Sequence, residues 1–177
     1  MNQKQRGAYA LEIKSIDAEG RFAGYASVFD VTDSQRDIMR VGAFRTSLKL
    51  RQYPVQLLWQ HQWENPIGII SDIFEDAHGL YVEGRLLLEV AQAREAHVLL
   101  KAGAIRGMSI GYTVKRAWRD ADSGARELLE VELWEVSLVT MPANEAAQVT
   151  VVKSDSDYAG MVVALERAER ALGKNIY

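Results

Sequence analysis

The sequence has no cysteine. Thiol catalysis and thiolate metal sites are therefore excluded, and the chain suits a reducing compartment. Basic charge is not in excess either: 21 Lys and Arg stand against 24 Asp and Glu, for a net charge of -3 and a pI near 5.7. No basic field is present to grip a phosphate backbone, so nucleic acid is not an expected partner. No apolar run approaches the length of a membrane span, and the N-terminus "MNQKQRGAYALEI" lacks the apolar core of a signal peptide. The expectation is an intracellular, soluble protein with no membrane partner. Histidine is scarce as well, with His61, His78 and His97 the full complement.

What is present is an ordinary globular composition, 48% hydrophobic and 25% charged over 177 residues. That length suits one domain with a real core and no need for disulfide or metal staples. Short alternating segments dominate: "YALEIKSI", "RFAGYASVF", "VQLLWQH", "IGIISDIFE", "LYVEGRLLL", "MSIGYTVKRAW", "ELLEVELWEVSLV" and "AQVTVV". Alternation with β-branched and aromatic enrichment predicts strands. So many strands in one domain predict a mostly β fold, a closed or nearly closed barrel of about seven to eight strands with helices outside it. Hairpin turns are expected at Glu75 to Gly79 and at Arg119 to Arg126, both rich in turn formers. "GAFRTSLKL" reads as a short helix and "EVAQAREAHVLLKAG" as a longer one stopped by Gly103 as an αL cap. The barrel domain is placed at 1–153. From 154 to 177 a polar linker leads into "MVVALERAERAL", an amphipathic helix with Met161, Leu165, Ala168 and Leu172 on one side.

"GMSIG", Gly107 to Gly111, spells the G-x-S-x-G of a hydrolase nucleophile elbow. An α/β-hydrolase elbow needs a helix after the serine and a histidine later in the chain. Here "IGYTVKRAW" continues as a strand and all three histidines precede Ser109. That fold is excluded, but the serine is not.

Three polar residues sit where the alternation expects something else. His61 closes "VQLLWQH" on the face of Val55, Leu57 and Trp59, either as a structural histidine at a strand end or as a functional one. Glu135 falls on an apolar face with Leu129, Val131, Leu133 and Val139. A carboxylate there costs roughly a few kcal/mol to desolvate unless a donor meets it, and His61 is a candidate donor. The alternative is a strand end frayed into solvent. Ser109 shares its face with Gly111 and Thr113, which leave space for a substrate chain. Serine becomes a nucleophile when an imidazole takes its proton and a third group fixes that imidazole. Ser109, His61 and Glu135 supply those types in an order that matches none of the familiar triads. A metal set of His61, Glu64 and His97 is the competing arrangement, disfavoured because "HQWENP" reads as a proline turn. His78 reads as a turn residue and His97 as a helix residue.

Taken together, "GYASVFDVTDSQRDIMRVGAF", "LLWQHQWENPIGII", "GLYVEGRL", "GAIRGMSIGY" and "LWEVSLVTMPANEAA" resemble, in order and spacing, the prohead serine proteases of tailed bacteriophages. The resemblance runs from Gly24 to Ala147. It implies relatedness to the herpesvirus assemblin proteases, whose fold is an antiparallel β-barrel surrounded by helices. It also implies Ser109 as nucleophile and His61 as general base. Glu135 stands where assemblins place a second histidine, with Asp37 the other acid to weigh. The loop "SQRDIMRVGAF" departs from the D-x-x-G-D pattern of the family. The assemblin oxyanion loop corresponds to "MPANEA", which makes the Ala143 and Asn144 backbone N–H groups the expected oxyanion donors.

Such an enzyme cuts scaffold or the N-terminal segment of the major capsid protein, and often itself, inside the procapsid in the host cytoplasm. It needs no metal and no cofactor. Assemblin likeness further implies a homodimer or higher oligomer, with the tail helix as one interface. Two other functions compete: a non-catalytic capsid-assembly module that retains the barrel, and a metal-dependent hydrolase through His61, Glu64 and His97.

Overall fold

The structure, a computed structural model, describes residues 16–119 and 124–151. The expected tail helix and the boundary after residue 153 lie outside these residues. In chain order the elements are β1 (Arg21–Val28), β2 (Asp37–Met39), α1 (Arg45–Leu50), β3 (Gln56–Trp59), β4 (Gln62–Glu75), β5 (Gly79–Leu86), α2 (Ala91–Lys101), β6 (Gly107–Arg119), β7 (Arg126–Val139) and β8 (Val149–Val151). The fold is mostly β, with one curled sheet and few helices.

The sheet order is β2-β7-β3-β4-β5-β1-β8, with β6 on the other edge of β7. β6 and β7 form a long antiparallel ladder from Gly107↔Val139 to Arg119↔Arg126. On its opposite edge β7 carries two short strands in tandem. β2 pairs with residues 126–128 and β3 with residues 135–138, both parallel. Between them the edge is capped by the Ala43 carbonyl and the Ser47 hydroxyl, which accept the Val131 and Leu133 N–H groups. At the far end of the sheet, residues 147–149 bond to both β1 and β6: Gln148 accepts from Tyr25 N–H, Ala147 accepts from Met108 N–H, and Val149 donates to Arg106 O. The sheet therefore curls until its ends approach each other.

A purely antiparallel barrel was the expectation, and the sheet is mixed. Hairpin pairing between neighbours in the chain follows from turn residues, as at Asp76, whose side chain accepts the His78 and Gly79 N–H groups. The parallel pairs join segments far apart in sequence, where no local turn sets the direction.

Leu57, Ile67, Leu80, Val82, Leu86, Met108, Leu128, Val131, Val136 and Leu138 fill the inside of the curl. Each such side chain contributes about 1.5–3 kcal/mol by leaving water. α2 covers part of the sheet through Ala93, Ala96 and Leu100 and ends, as its sequence predicts, at Gly103 with φ +68. "HQWENP" is not a proline turn. From Gln62 onward it belongs to β4, where Pro66 faces Leu58 beside two register shifts that spare the ladder a missing N–H.

Candidate active site

His61 reaches its position through a turn, not through strand alternation. β3 stops at Trp59, which pairs with Gln62, leaving Gln60 and His61 as a two-residue connection with φ of 51 and 60. Two consecutive left-handed residues make the I′ geometry that matches the twist of a hairpin. Without glycine this conformation costs about 1 kcal/mol or more per residue and needs anchors. β7 supplies them: the Leu138 carbonyl accepts the Gln60 N–H at 3.1 Å, and the Ser137 hydroxyl accepts the His61 N–H at 3.0 Å. Thr140 Oγ1 accepts from Gln60 Nε2 at 2.8 Å.

So held, the imidazole places Nδ1 2.6 Å from Glu135 Oε1. Glu135 is 2% exposed, and its other oxygen accepts the Ser137 hydroxyl at 2.7 Å. Both oxygens of a buried carboxylate are thus satisfied. The strand does not fray here; β7 stays paired to Val139, although Trp134 on the opposite face is exposed. Because a carboxylate only accepts, Nδ1 carries the proton and the neutral ring keeps its lone pair on Nε2. The hydrogen bond to Glu135 raises the His61 pKa above the ordinary imidazole value; partial burial opposes this and the carboxylate charge adds to it.

The β6/β7 register sets the serine. Ser109 faces Ser137 and Gly111 faces Glu135. A Cβ at Gly111 would lie 2.5 Å from Glu135 Oε1 and 2.9 Å from its Cγ, so the buried glutamate needs the absence of a side chain there. A Cβ at Gly107 would lie 2.6 Å from Pro142 Cδ and 2.8 Å from the Val139 carbonyl. The two glycines of "GMSIG" are required by these close approaches, not by a strand-to-helix elbow.

Ser109, 8% exposed, and His61, whose side chain is 45% exposed, line one cleft of about 560 Å³ together with Ala143 and Asn144. Asn144 is fixed by its amide donating to Val28 O at 2.9 Å, and Ala143 by its carbonyl accepting Ser34 N–H at 2.9 Å. Among the described residues the backbone N–H groups of Ala143 and Asn144 make no hydrogen bond. Beyond Met108, whose N–H reaches Ala147 away from β7, the outer edge of β6 makes no further backbone bond among the described residues. Alternate residues of an antiparallel strand point their amides outward, so Ile110 presents its N–H and C=O to the cleft.

Asp37 lines the same cleft but serves a different partner. It is buried, and Arg126 holds it through Nε at 2.8 Å and Nη2 at 2.5 Å, with the Tyr112 hydroxyl donating at 3.3 Å. Burial and the Asp37 charge raise the Tyr112 pKa. Of the two acids, Glu135 is the one bonded to His61.

The metal arrangement is not formed. His97 sits on α2 with Nε2 2.7 Å from the Asp17 carbonyl, and among the described residues no three His, Asp or Glu side chains are grouped to hold a metal ion. His78 is exposed in its turn, edge-on to Tyr25 at 4.5 Å between ring centroids. The sequence pattern suggests space for a substrate chain at Gly111, whereas the space there is taken by Glu135; Ser137 was passed over, although it lies two residues from Glu135 on the same strand face.

Comparison with known proteins adds an independent line. A family model described as caudovirus prohead serine protease matches residues 9–161. The chain is 36% identical over 138 residues to the prohead protease of Enterobacteria phage HK97, covering 77% of this chain and 61% of that one. It is 32% identical over 159 residues to the capsid polyprotein of Pseudomonas phage PAJU2, covering 85% of this chain and 23% of that one. The chain thus spans less than two thirds of the length of either relative. Among solved structures, KSHV protease in complex with a hexapeptide phosphonate inhibitor aligns with a TM-score of 0.51 at 13% identity, over 83% of this chain and 76% of that one. At that identity the likeness is one of fold.

Proposed function

Since the chain belongs to the caudovirus prohead serine protease family, we propose that it is a serine endopeptidase of capsid maturation, with Ser109 as nucleophile, His61 as general base and Glu135 as the group that orients and stabilises the imidazole. The observation that carries this reading is the 2.6 Å His61–Glu135 bond beside a cleft that Ser109 also lines.

The steps follow from the groups present. Ser109 Oγ attacks the scissile carbonyl as its proton passes to His61 Nε2, and the imidazolium that forms is stabilised by the buried Glu135 carboxylate. The free N–H groups of Ala143 and Asn144 are the proposed donors to the developing oxyanion, an interaction whose loss typically costs about 3–4 kcal/mol of barrier. Collapse of the tetrahedral intermediate breaks the C–N bond, and His61 returns the proton to the departing amine. Water, deprotonated by the same imidazole, then releases the acyl group. The open edge at Ile110 favours an extended peptide as substrate, laid beside β6 as an added strand.

The proposed substrates are scaffold or the N-terminal segment of the major capsid protein, and the enzyme itself, within the assembling procapsid in the host cytoplasm. Support comes from the family description and from the match to part of a longer relative named a capsid polyprotein.

Incubation with a fluorophosphonate, followed by intact mass and peptide mapping, tests the nucleophile. One adduct on Ser109 is expected. Failure to label under conditions where coat and scaffold proteins assemble supports the non-catalytic assembly module instead.

The pH dependence has a defined sign. The base must be neutral, and its pKa is raised by Glu135, so cleavage should rise with pH along a limb whose midpoint lies above about 6.5. The stability linkage runs the other way. A raised folded-state pKa stabilises the fold below the unfolded imidazole value, and that contribution fades as pH climbs through the folded value. Initial cleavage rates and thermal melts across pH 5 to 9 should therefore trend oppositely over this window; a cleavage limb centred below the ordinary imidazole value contradicts the role given to Glu135.

A further inference from the structure

Ser137 is fully buried, and its hydroxyl makes two bonds at once. It accepts the His61 backbone N–H at 3.0 Å and donates to Glu135 Oε2 at 2.7 Å. A hydroxyl has one proton to give and two lone pairs to receive, so both bonds are compatible in a single rotamer. The same residue faces Ser109 across the β6/β7 ladder. One side chain thus touches the turn that carries the proposed base and the acid that orients it, beside the proposed nucleophile.

We propose that Ser137 is a positioning residue, whose hydroxyl locks the His61 turn and the second oxygen of Glu135 so that Oε1 alone is presented to the imidazole Nδ1. Without that hydroxyl, Oε2 has no donor in a buried site, and the carboxylate gains freedom to rotate about its last torsion in search of one. His61 loses an anchor of its left-handed conformation, a conformation that persists only where neighbours over-determine it. The two losses act on the same bond. The carboxylate and the ring each drift, and the neutral imidazole is no longer restricted to the tautomer with its proton on Nδ1.

This inference rests on the roles proposed for Ser109, His61 and Glu135, and its test separates the two. In Ser137→Ala, kcat is expected to fall about tenfold to a hundredfold, the scale of one lost buried hydrogen bond to a charged group, with KM little changed because the substrate cleft keeps its lining. Ser109→Ala protein with and without Ser137→Ala is then compared by imidazole nitrogen-15 NMR at alkaline pH, with the His61 signals assigned by their loss in His61→Asn.

Neutral His61 is expected as the Nδ1–H tautomer when Ser137 is present and as a mixture of tautomers when it is not. A role in stability alone would lower the melting temperature and leave the tautomer untouched. Retention of both wild-type kcat and the single tautomer in Ser137→Ala overturns the proposal. Should the alanine variant not fold, Ser137→Cys, nearly the same size but a poor donor, carries the same two readouts with the same consequences. If wild type cleaves nothing or Ser109→Ala cleaves equally well, the protease reading falls, while the tautomer comparison still decides the positioning role.

Discussion

Ser109→Ala is expected to abolish the proposed cleavage of coat and scaffold proteins, with a fall in kcat on the order of 10⁴ to 10⁶, and to leave the fold intact. The size follows from what remains. Alanine removes the atom that forms the acyl bond, so the covalent route is closed and only the proposed oxyanion donors and peptide positioning act on a direct water attack. The fold should not notice. Ser109 lines the cleft and takes no part in the hydrogen bonds that join His61, Glu135 and Ser137. The measurement is intact mass over time, at high protein concentration with the coat and scaffold partners, alongside a thermal melt. New fragments with wild type alone, at matched melting temperatures, assign the nucleophile. Equal fragment patterns in both samples remove it and favour the assembly-module reading of the fold.

Glu135→Gln ranks second, with an expected loss in kcat of about 10² to 10⁴. The substitution preserves shape and still offers an oxygen, so the core around β7 should survive. What disappears is the charge. A buried carboxylate stabilises the imidazolium formed in the transition state, and a neutral amide does so much less in a site screened from water. An amide also presents a donor at one end, and an amide turned with its N–H₂ toward Nδ1 would hold the ring in the wrong tautomer. The pH profile provides a second signature. The raised pKa of His61 has the Glu135 hydrogen bond as its largest cause, so the acid limb should move to lower pH even as the rate falls. Asp37→Asn is the control. It breaks the pair with Arg126 and should destabilise the protein without moving that limb; a larger limb shift from Asp37 than from Glu135 would transfer the orienting role to Asp37.

The sequence carried much of this by itself, for identifiable reasons. Strand positions show through because side chains alternate across a sheet, and the Gly103 stop of α2 shows because only a left-handed residue ends a helix that way. Glu135 was detectable as a carboxylate on an apolar face, a placement that demands a partner wherever the strand is buried. Ser109 and His61 stood out as residue types, a serine with small neighbours and one of three imidazoles, and it was the family resemblance that implied their roles. The coordinates add the His61–Glu135 bond and a cleft that His61 and Ser109 both line.

Only the tertiary structure decided which acid meets which base. Asp37 and Glu135 are both buried, and nothing local distinguishes a carboxylate held by Arg126 from one held by His61, 74 residues away. The parallel pairing of β2 and β3 on β7, the left-handed turn that aims His61, and the need for glycine at position 111 belong to the same class. Each depends on the register between segments remote in the chain. Register is fixed by the summed packing of whole sheet faces and not by the residues at the point of contact. Periodicity could identify a face and its odd member; the curl of the sheet determined what that member touches.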